Sequence, residues 1–342
     1  MRPETFELLK TSTQIASVIL SVLFNSFLII LIITKSAKKM GNYRHLMVFF
    51  CCCSIMFSSM DIFVRPVIHT HKSAFFMIMD LRNRELSMDF AGVMICAMAG
   101  CFGVIIYGIA IHFIYRYFAL ERHGRIKYFD KKFLPIWFSI PILGGVSWTL
   151  VSWFLFPMAP VTSAYIGPAI REAFDMDINR SAYAAAIFYP LDENGQKLFN
   201  AKCGIGLILY LLIMSIPFCI VLYVGVKSAG KIKQFPSSNY GKGLQVQLLK
   251  ALIAQTVIPV LLLFVPFGVL FLCPIFEIDC KPLATVLTFV YAIYPVVDPL
   301  PIFFFVQSYR NAVSEIFVCF HCRGKSRVHI APEEVSRDAE SQ

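Results

Sequence analysis

The sequence predicts an all-α membrane protein, a seven-transmembrane helix bundle with its N-terminus outside the cell and its C-terminus in the cytosol. Three observations predict it. Seven strongly apolar stretches run along the 342 residues, each near the roughly 20 residues that a helix needs to cross about 30 Å of hydrocarbon. Residues that are 58% hydrophobic and 15% charged would leave a soluble globule of this length short of polar surface. The basic residues, finally, collect in alternate connections, and Lys and Arg near span ends stay on the cytosolic side.

The spans fall at 14–34, 46–64, 91–115, 134–156, 203–226, 246–272 and 283–306, so residues 1–306 form the transmembrane unit and 307–342 a cytosolic tail. Span one follows a start too short and polar for a cleaved signal and serves as a signal anchor. Asn25 at its middle reads as interhelical hydrogen-bond glue. Loop one then carries Lys35, Lys38, Lys39 and Arg44. With the third and fifth loops, Lys250 and the tail, this side holds 20 of the 31 basic residues. The pI of 9.1 therefore belongs to a membrane surface, not to nucleic acid.

Span two holds Cys51, Cys52 and Cys53, small packing residues at this depth, and Asp61 near its outer end. Span three ends in Ile111-His112-Phe113-Ile114-Tyr115-Arg116-Tyr117. His112 and Arg116 are four apart and share a face. Extending that face outward gives Ile105, Cys101, Met98 and Met94, a stripe that lines the bundle interior if Arg116 points inward rather than snorkelling to lipid phosphates. Span four carries Trp137, Trp148 and Trp153, read as interface anchors.

The outer connection 157–202 lacks the apolar content for a core of its own but holds the glycosylation sequon Asn179-Arg180-Ser181. Of the cysteines at outer span ends, Cys273 could bridge to Cys280, or Cys203 to either, in an oxidising compartment. Span six reads Leu244-Gln245-Val246-Gln247-Leu248-Leu249-Lys250, then Gln255, Pro259 and Pro266.

Span seven carries Tyr291, Tyr294 and Asp298 on one face. Pro295 and Pro299 each remove a backbone donor, so this helix kinks. Asp298 lies in the inner third of the membrane, where a carboxylate needs a partner or a proton. Arg116, His112 and Lys250 are the groups at its depth. After a short amphipathic stretch, Cys319 and Cys322 sit beside basic residues, where acylation would tie the tail to the inner leaflet; free thiols are the other reading. No metal or nucleophile constellation lies together and no cofactor is expected; zinc at Cys319 and Cys322 would need two more ligands, and only His321 is near.

At these residues a resemblance becomes specific. Gly41-Asn42-Tyr43-Arg44-His45-Leu46-Met47, the span-three phrase, Leu244 to Leu252 with Gln255 and Ile258-Pro259, and Tyr294-Pro295-Val296-Val297-Asp298-Pro299-Leu300 with Tyr309-Arg310 resemble the nematode STR superfamily of serpentine chemoreceptors. The match covers nearly the whole chain in order and spacing. It implies a G-protein-coupled, olfactory-type receptor for small environmental molecules in the plasma membrane of sensory cilia, with a heterotrimeric G protein as partner and pairing with another receptor left open.

Carried over residue by residue, Tyr115-Arg116-Tyr117 stands for an acidic-Arg-aromatic motif, and Asp298-Pro299 for the Asn/Asp-Pro of span seven. Tyr115 replaces the acid, so no neighbouring carboxylate can lock Arg116. The switch set is then His112, Tyr115, Arg116, Lys250, Tyr294, Asp298 and Pro299. The ligand pocket expected in the outer half is Met94, Met98, Cys101, Leu287 and Tyr291 with neighbours on spans five and six. The competing reading is a transporter or channel relaying ions through Asp298, His112 and Lys250, against which stands the absence of an internal repeat.

Overall fold

The computed structural model describes residues 2–35, 40–121, 124–191, 195–233 and 240–315. Seven of its helical stretches are long and apolar enough to cross a membrane. They comprise α1 (Pro3–Lys35), α2 (Tyr43–Val64), α3 (Met88–Leu120), α4 (Leu134–Leu155), α6 (Ala201–Lys233), the run α7 (Tyr240–Pro259) to α8 (Val265–Leu272), and α9 (Lys281–Val297) with α10 (Leu300–Phe305). The bundle surface is apolar, as in Leu143, Leu222 and Val226, the surface a bilayer would cover. Cys319 and Cys322 lie outside the described residues.

Helix α3 is the axis. Its apolar window is 67% buried, more than that of any other span, and it packs on α4 through glycines. A Cβ on Gly103 would fall onto the Gly144 carbonyl, and one on Gly145 would sit 2.6 Å from Val104. Small residues let two backbones approach closely where lipid supplies no hydrophobic drive.

Two expectations need correction at the end where the chain starts. Span one begins at Pro3, eleven residues earlier than the hydropathy run: Phe6 is buried, and buried Lys10 is neutralised by Glu7 at 2.7 Å. The connections at this end also build a core after all. Strands β1 (Val67–His71), β2 (Ala74–Asp80) and β3 (Ser181–Ile187) form an antiparallel sheet in the order β1-β2-β3, with Phe76 opposite Ala185. Helix α5 (Pro160–Phe174) and the start of α1 pack on it through Phe6, Phe76, Ile78, Ile166, Ile170, Tyr183 and Ile187. This sheet end of the molecule is therefore roofed.

The proline positions break the helices as expected. Five residues of π-helix, Val260–Phe264, follow Pro259 and join α7 to α8, a device that absorbs the lost i→i−4 bond. Span seven divides at Asp298-Pro299. Pro299 has no N–H to give the Pro295 carbonyl, and that carbonyl instead accepts from Asn25 Nδ2 at 3.1 Å and Ser21 Oγ at 3.4 Å. Asn25 is thus the glue its position suggested, and it re-satisfies a carbonyl freed by proline.

Candidate functional site: two cavities joined by span seven

At the far end, opposite the sheet, Arg116 is 2% exposed and points into the bundle. Its guanidinium lies 3.6 Å above the Tyr43 ring, and Nη1 donates to Gln245 Oε1 of α7 at 3.1 Å. Nε and Nη2 have no partner among the described residues, so donors remain for an incoming acceptor. The Tyr43 hydroxyl pairs with His112 Nδ1 at 3.0 Å. The Tyr115 ring also lies under the guanidinium, at 5.8 Å; its hydroxyl accepts from Tyr43 N and donates to the Met40 carbonyl, tying α3 to the loop before α2.

Neutral amides hold α7 here. Besides Gln245, Gln247 accepts from Gln307 N at 3.0 Å, and Gln255 donates to the Asp298 carbonyl at 3.0 Å. Gln307 opens a helix over residues 307–315 that buries Tyr309 and Ala312 and exposes Arg310 and Ser314, the amphipathic stretch expected after the last span.

Asp298 sits at a cavity lined by Ser54, Cys101, His112, Leu252, Gln255 and Tyr294. Its carboxylate accepts from the Ser54 hydroxyl at 3.0 Å and the Tyr294 hydroxyl at 3.2 Å. Neither Arg116 nor Lys250 reaches it. Lys250 is exposed, because the flanking residues Leu248, Leu249, Ala251 and Leu252 take the inward face of α7. The relay Asp298–His112–Lys250 is therefore not assembled: His112 shares the cavity with Asp298 but bonds to Tyr43, and Lys250 faces away.

A second cavity lies at the sheet end, between α3, α4, α6 and α8 and under β2 and β3. Phe75, Met77, Ala184 and Ala186 roof it, and Ala99, Phe102, Trp148, Ser152, Phe156, Tyr210, Phe264, Phe267, Gly268 and Phe271 are among its walls. Its volume is ≈ 40 Å³, room for about three waters. Among the described residues no charged side chain lines it.

The pocket expected from the α3 stripe is corrected. Met98, Leu287 and Tyr291 are buried contacts between α3 and α9, sealed by the Tyr291 hydroxyl donating to the Met98 carbonyl at 2.7 Å. Met94 packs beside them, and Cys101 lines the Asp298 cavity. Space opens instead on the neighbouring face of α3, where Ala99 meets small residues across the gap. Trp148 is likewise no interface anchor: it is buried, stacked on Tyr210 at 4.1 Å.

Tyr43, Gln245 and Ser54 were missed as site residues, since a search for ionisable groups at membrane depth passes over neutral donors and acceptors. The signal was available in the phrases around Tyr43 and Gln245. Cys273, Cys280 and Cys203 are all free thiols in the structure, and Cys203 is buried and donates to the Leu155 carbonyl. Asn179 is exposed in a turn just before β3.

Residues 10–314 match the family described as serpentine type 7TM GPCR chemoreceptor Str. Serpentine receptor class r-10 of Caenorhabditis briggsae is 28% identical over 320 residues, covering 92% of each chain. Its namesake in Caenorhabditis elegans is 28% identical over 324 residues, covering 93% of this chain and 94% of its own. The G-protein coupled receptor str-217 of Caenorhabditis elegans is 28% identical over 318 residues, covering 92% and 90%.

Proposed function

Because this chain belongs to the Str family of serpentine seven-transmembrane GPCR chemoreceptors, a family of receptors rather than enzymes, we propose that it binds a small uncharged environmental molecule in the sheet-side cavity and signals to a heterotrimeric G protein at the far end. The sheet end then faces outward and the far end the cytosol, in keeping with the basic loops. The protein is a multi-pass membrane protein, and the plasma membrane of sensory cilia is its proposed location.

One observation carries this reading. The jointed run from α7 to α8 walls the ligand cavity at one end, through Phe264, Phe267, Gly268 and Phe271, and at the other is tied by hydrogen bonds from the neutral side chains Gln245, Gln247 and Gln255. A ligand that presses on the α8 wall favours whichever arrangement of the joint accommodates it. Release of Gln245 then frees Arg116 toward a G-protein carbonyl or carboxylate.

The experiment is a panel of small uncharged odorants applied to cells expressing the receptor with a G protein, read by calcium or cyclic nucleotide. A response is expected, with Arg116→Ala and Asp298→Asn each reducing its maximum. A response untouched by both substitutions, or a ligand-evoked current in bilayers free of G protein, would overturn the proposal.

A further inference from the structure

The sheet-side cavity is aromatic and aliphatic except for three polar groups: the hydroxyls of Ser152 of α4 and Tyr210 of α6, which are hydrogen-bonded to each other, and the Trp148 indole N–H, a donor against the Tyr210 oxygen. Both are buried, Ser152 at 1% exposure and Tyr210 at 3%. The direction of their bond follows from accounting for hydrogens. Ser152 Oγ has a single hydrogen, and it is committed to the Trp148 carbonyl one turn back, at 3.0 Å, since a carbonyl can only accept. Within the pair, therefore, the Tyr210 phenol donates and the Ser152 oxygen accepts.

Both hydroxyl hydrogens are used and the indole N–H is taken up by the Tyr210 oxygen, so what the pair offers the cavity is its remaining lone pairs. A guest that donates a hydrogen bond finds an acceptor at no cost. A guest that can only accept must first take the Tyr210 hydrogen away from Ser152, leaving a buried oxygen unsatisfied. With no charged group in the wall, an ionised guest would be desolvated without compensation.

We infer that the Ser152–Tyr210 pair tunes this receptor toward small uncharged ligands that carry one hydrogen-bond donor, alcohols and phenols, over acceptor-only molecules of the same shape. The inference rests on the reading of this cavity as the ligand site.

The test compares matched alcohols and carbonyl compounds small enough for the cavity, such as 1-propanol with propanal and 2-propanol with acetone, on the full receptor in cells with a G protein and surface expression measured in parallel. The alcohol of each pair is expected to act at about five- to ten-fold lower concentration, the size of one neutral hydrogen bond. Ser152→Ala removes the acceptor of the Tyr210 hydrogen, which then turns to the guest, so the ratio inverts in favour of the carbonyl compounds. The double variant Ser152→Ala, Tyr210→Phe has no hydroxyl left and frees the Trp148 N–H, so the ratio falls to about one or below. A ratio unchanged by Ser152→Ala overturns the inference, as does an alcohol preference that persists in the double variant. The cavity reading is tested separately by Gly268→Leu, which fills the space: responses to every guest left intact there would remove the ligand site itself, whereas their loss beside an unaltered Ser152→Ala ratio would sink only the hydroxyl accounting.

Discussion

Arg116 and Gln245 decide what the far end can do. A guanidinium held by a neutral amide has a weaker tie than one held by a carboxylate, because the carboxylate adds an opposite charge and can accept two parallel N–H bonds. Gln245→Glu converts one into the other at the same 3.1 Å contact. It is expected to lower ligand-free signalling and to raise the agonist concentration needed by about ten-fold, and Gln245→Leu to raise ligand-free signalling several-fold; identical basal activity in both would show that the contact restrains nothing. The position of Arg116 was legible in the sequence, since a charge four residues from His112 near a span end has few places to go. Tyr43 and Gln245 were not legible as its partners, for their chemistry is ordinary until the fold sets one under and one beside the guanidinium.

Among elements, the spans were legible and the sheet was not, for a physical reason. A span declares itself by its length in apolar residues, but β2 is buried on both faces from Ala74 to Met79 and shows no alternation. Strand β3 reads Ser-Ala-Tyr-Ala-Ala-Ala-Ile, rich in a residue depleted from strands. The sheet also carries a buried base. His69 on β1 is 4% exposed, edge-on to Phe76 and Phe174, with both ring nitrogens unpartnered among the described residues.

Burial first, then the nearby Lys281, lowers the His69 pKa to about 4 from 6.5, with Asp279 opposing and His71 adding a little to the lowering. His71, whose own pKa is lowered by burial, stands near Lys281, Lys72, Asp279 and Glu172 and against Tyr165. A lowered histidine pKa favours the neutral, packed form. That contribution is complete above pH 6.5 and is lost as pH falls toward 4, on the order of 3 kcal/mol at most. Hydrogen-exchange protection of β1 and β2, corrected for the pH dependence of intrinsic exchange, is expected to fall across that window while that of the helices holds, and His69→Phe should flatten the dependence. Equal protection at pH 7 and pH 4.5 in the unsubstituted protein would refute this.

At the scale of the whole molecule the question is how a roofed apolar cavity speaks to a polar one on the other side of the bundle. Span six borders both cavities, and span seven offers a second path of contacts between them. Phe102, in the wall of the sheet-side cavity, stacks on Tyr291 at 5.3 Å; the Tyr291 hydroxyl binds the Met98 carbonyl; and Tyr294, one turn on, donates to Asp298. Coupling is a free energy, and it is reciprocal: if the ligand favours G-protein engagement, the G protein must tighten the ligand by the same factor, commonly 5- to 150-fold. Tyr291→Phe keeps the ring and its stacking but deletes the bond between α9 and α3. Agonist affinity without G protein is then expected to stay within about two-fold of the original, because the hydroxyl does not line the ligand cavity. The gain in affinity on adding G protein is expected to shrink by about five-fold, roughly the value of one buried hydrogen bond. Binding measured in membranes with and without G protein separates the two quantities. An unaltered gain would mean that the ends communicate through α7 and α8 alone.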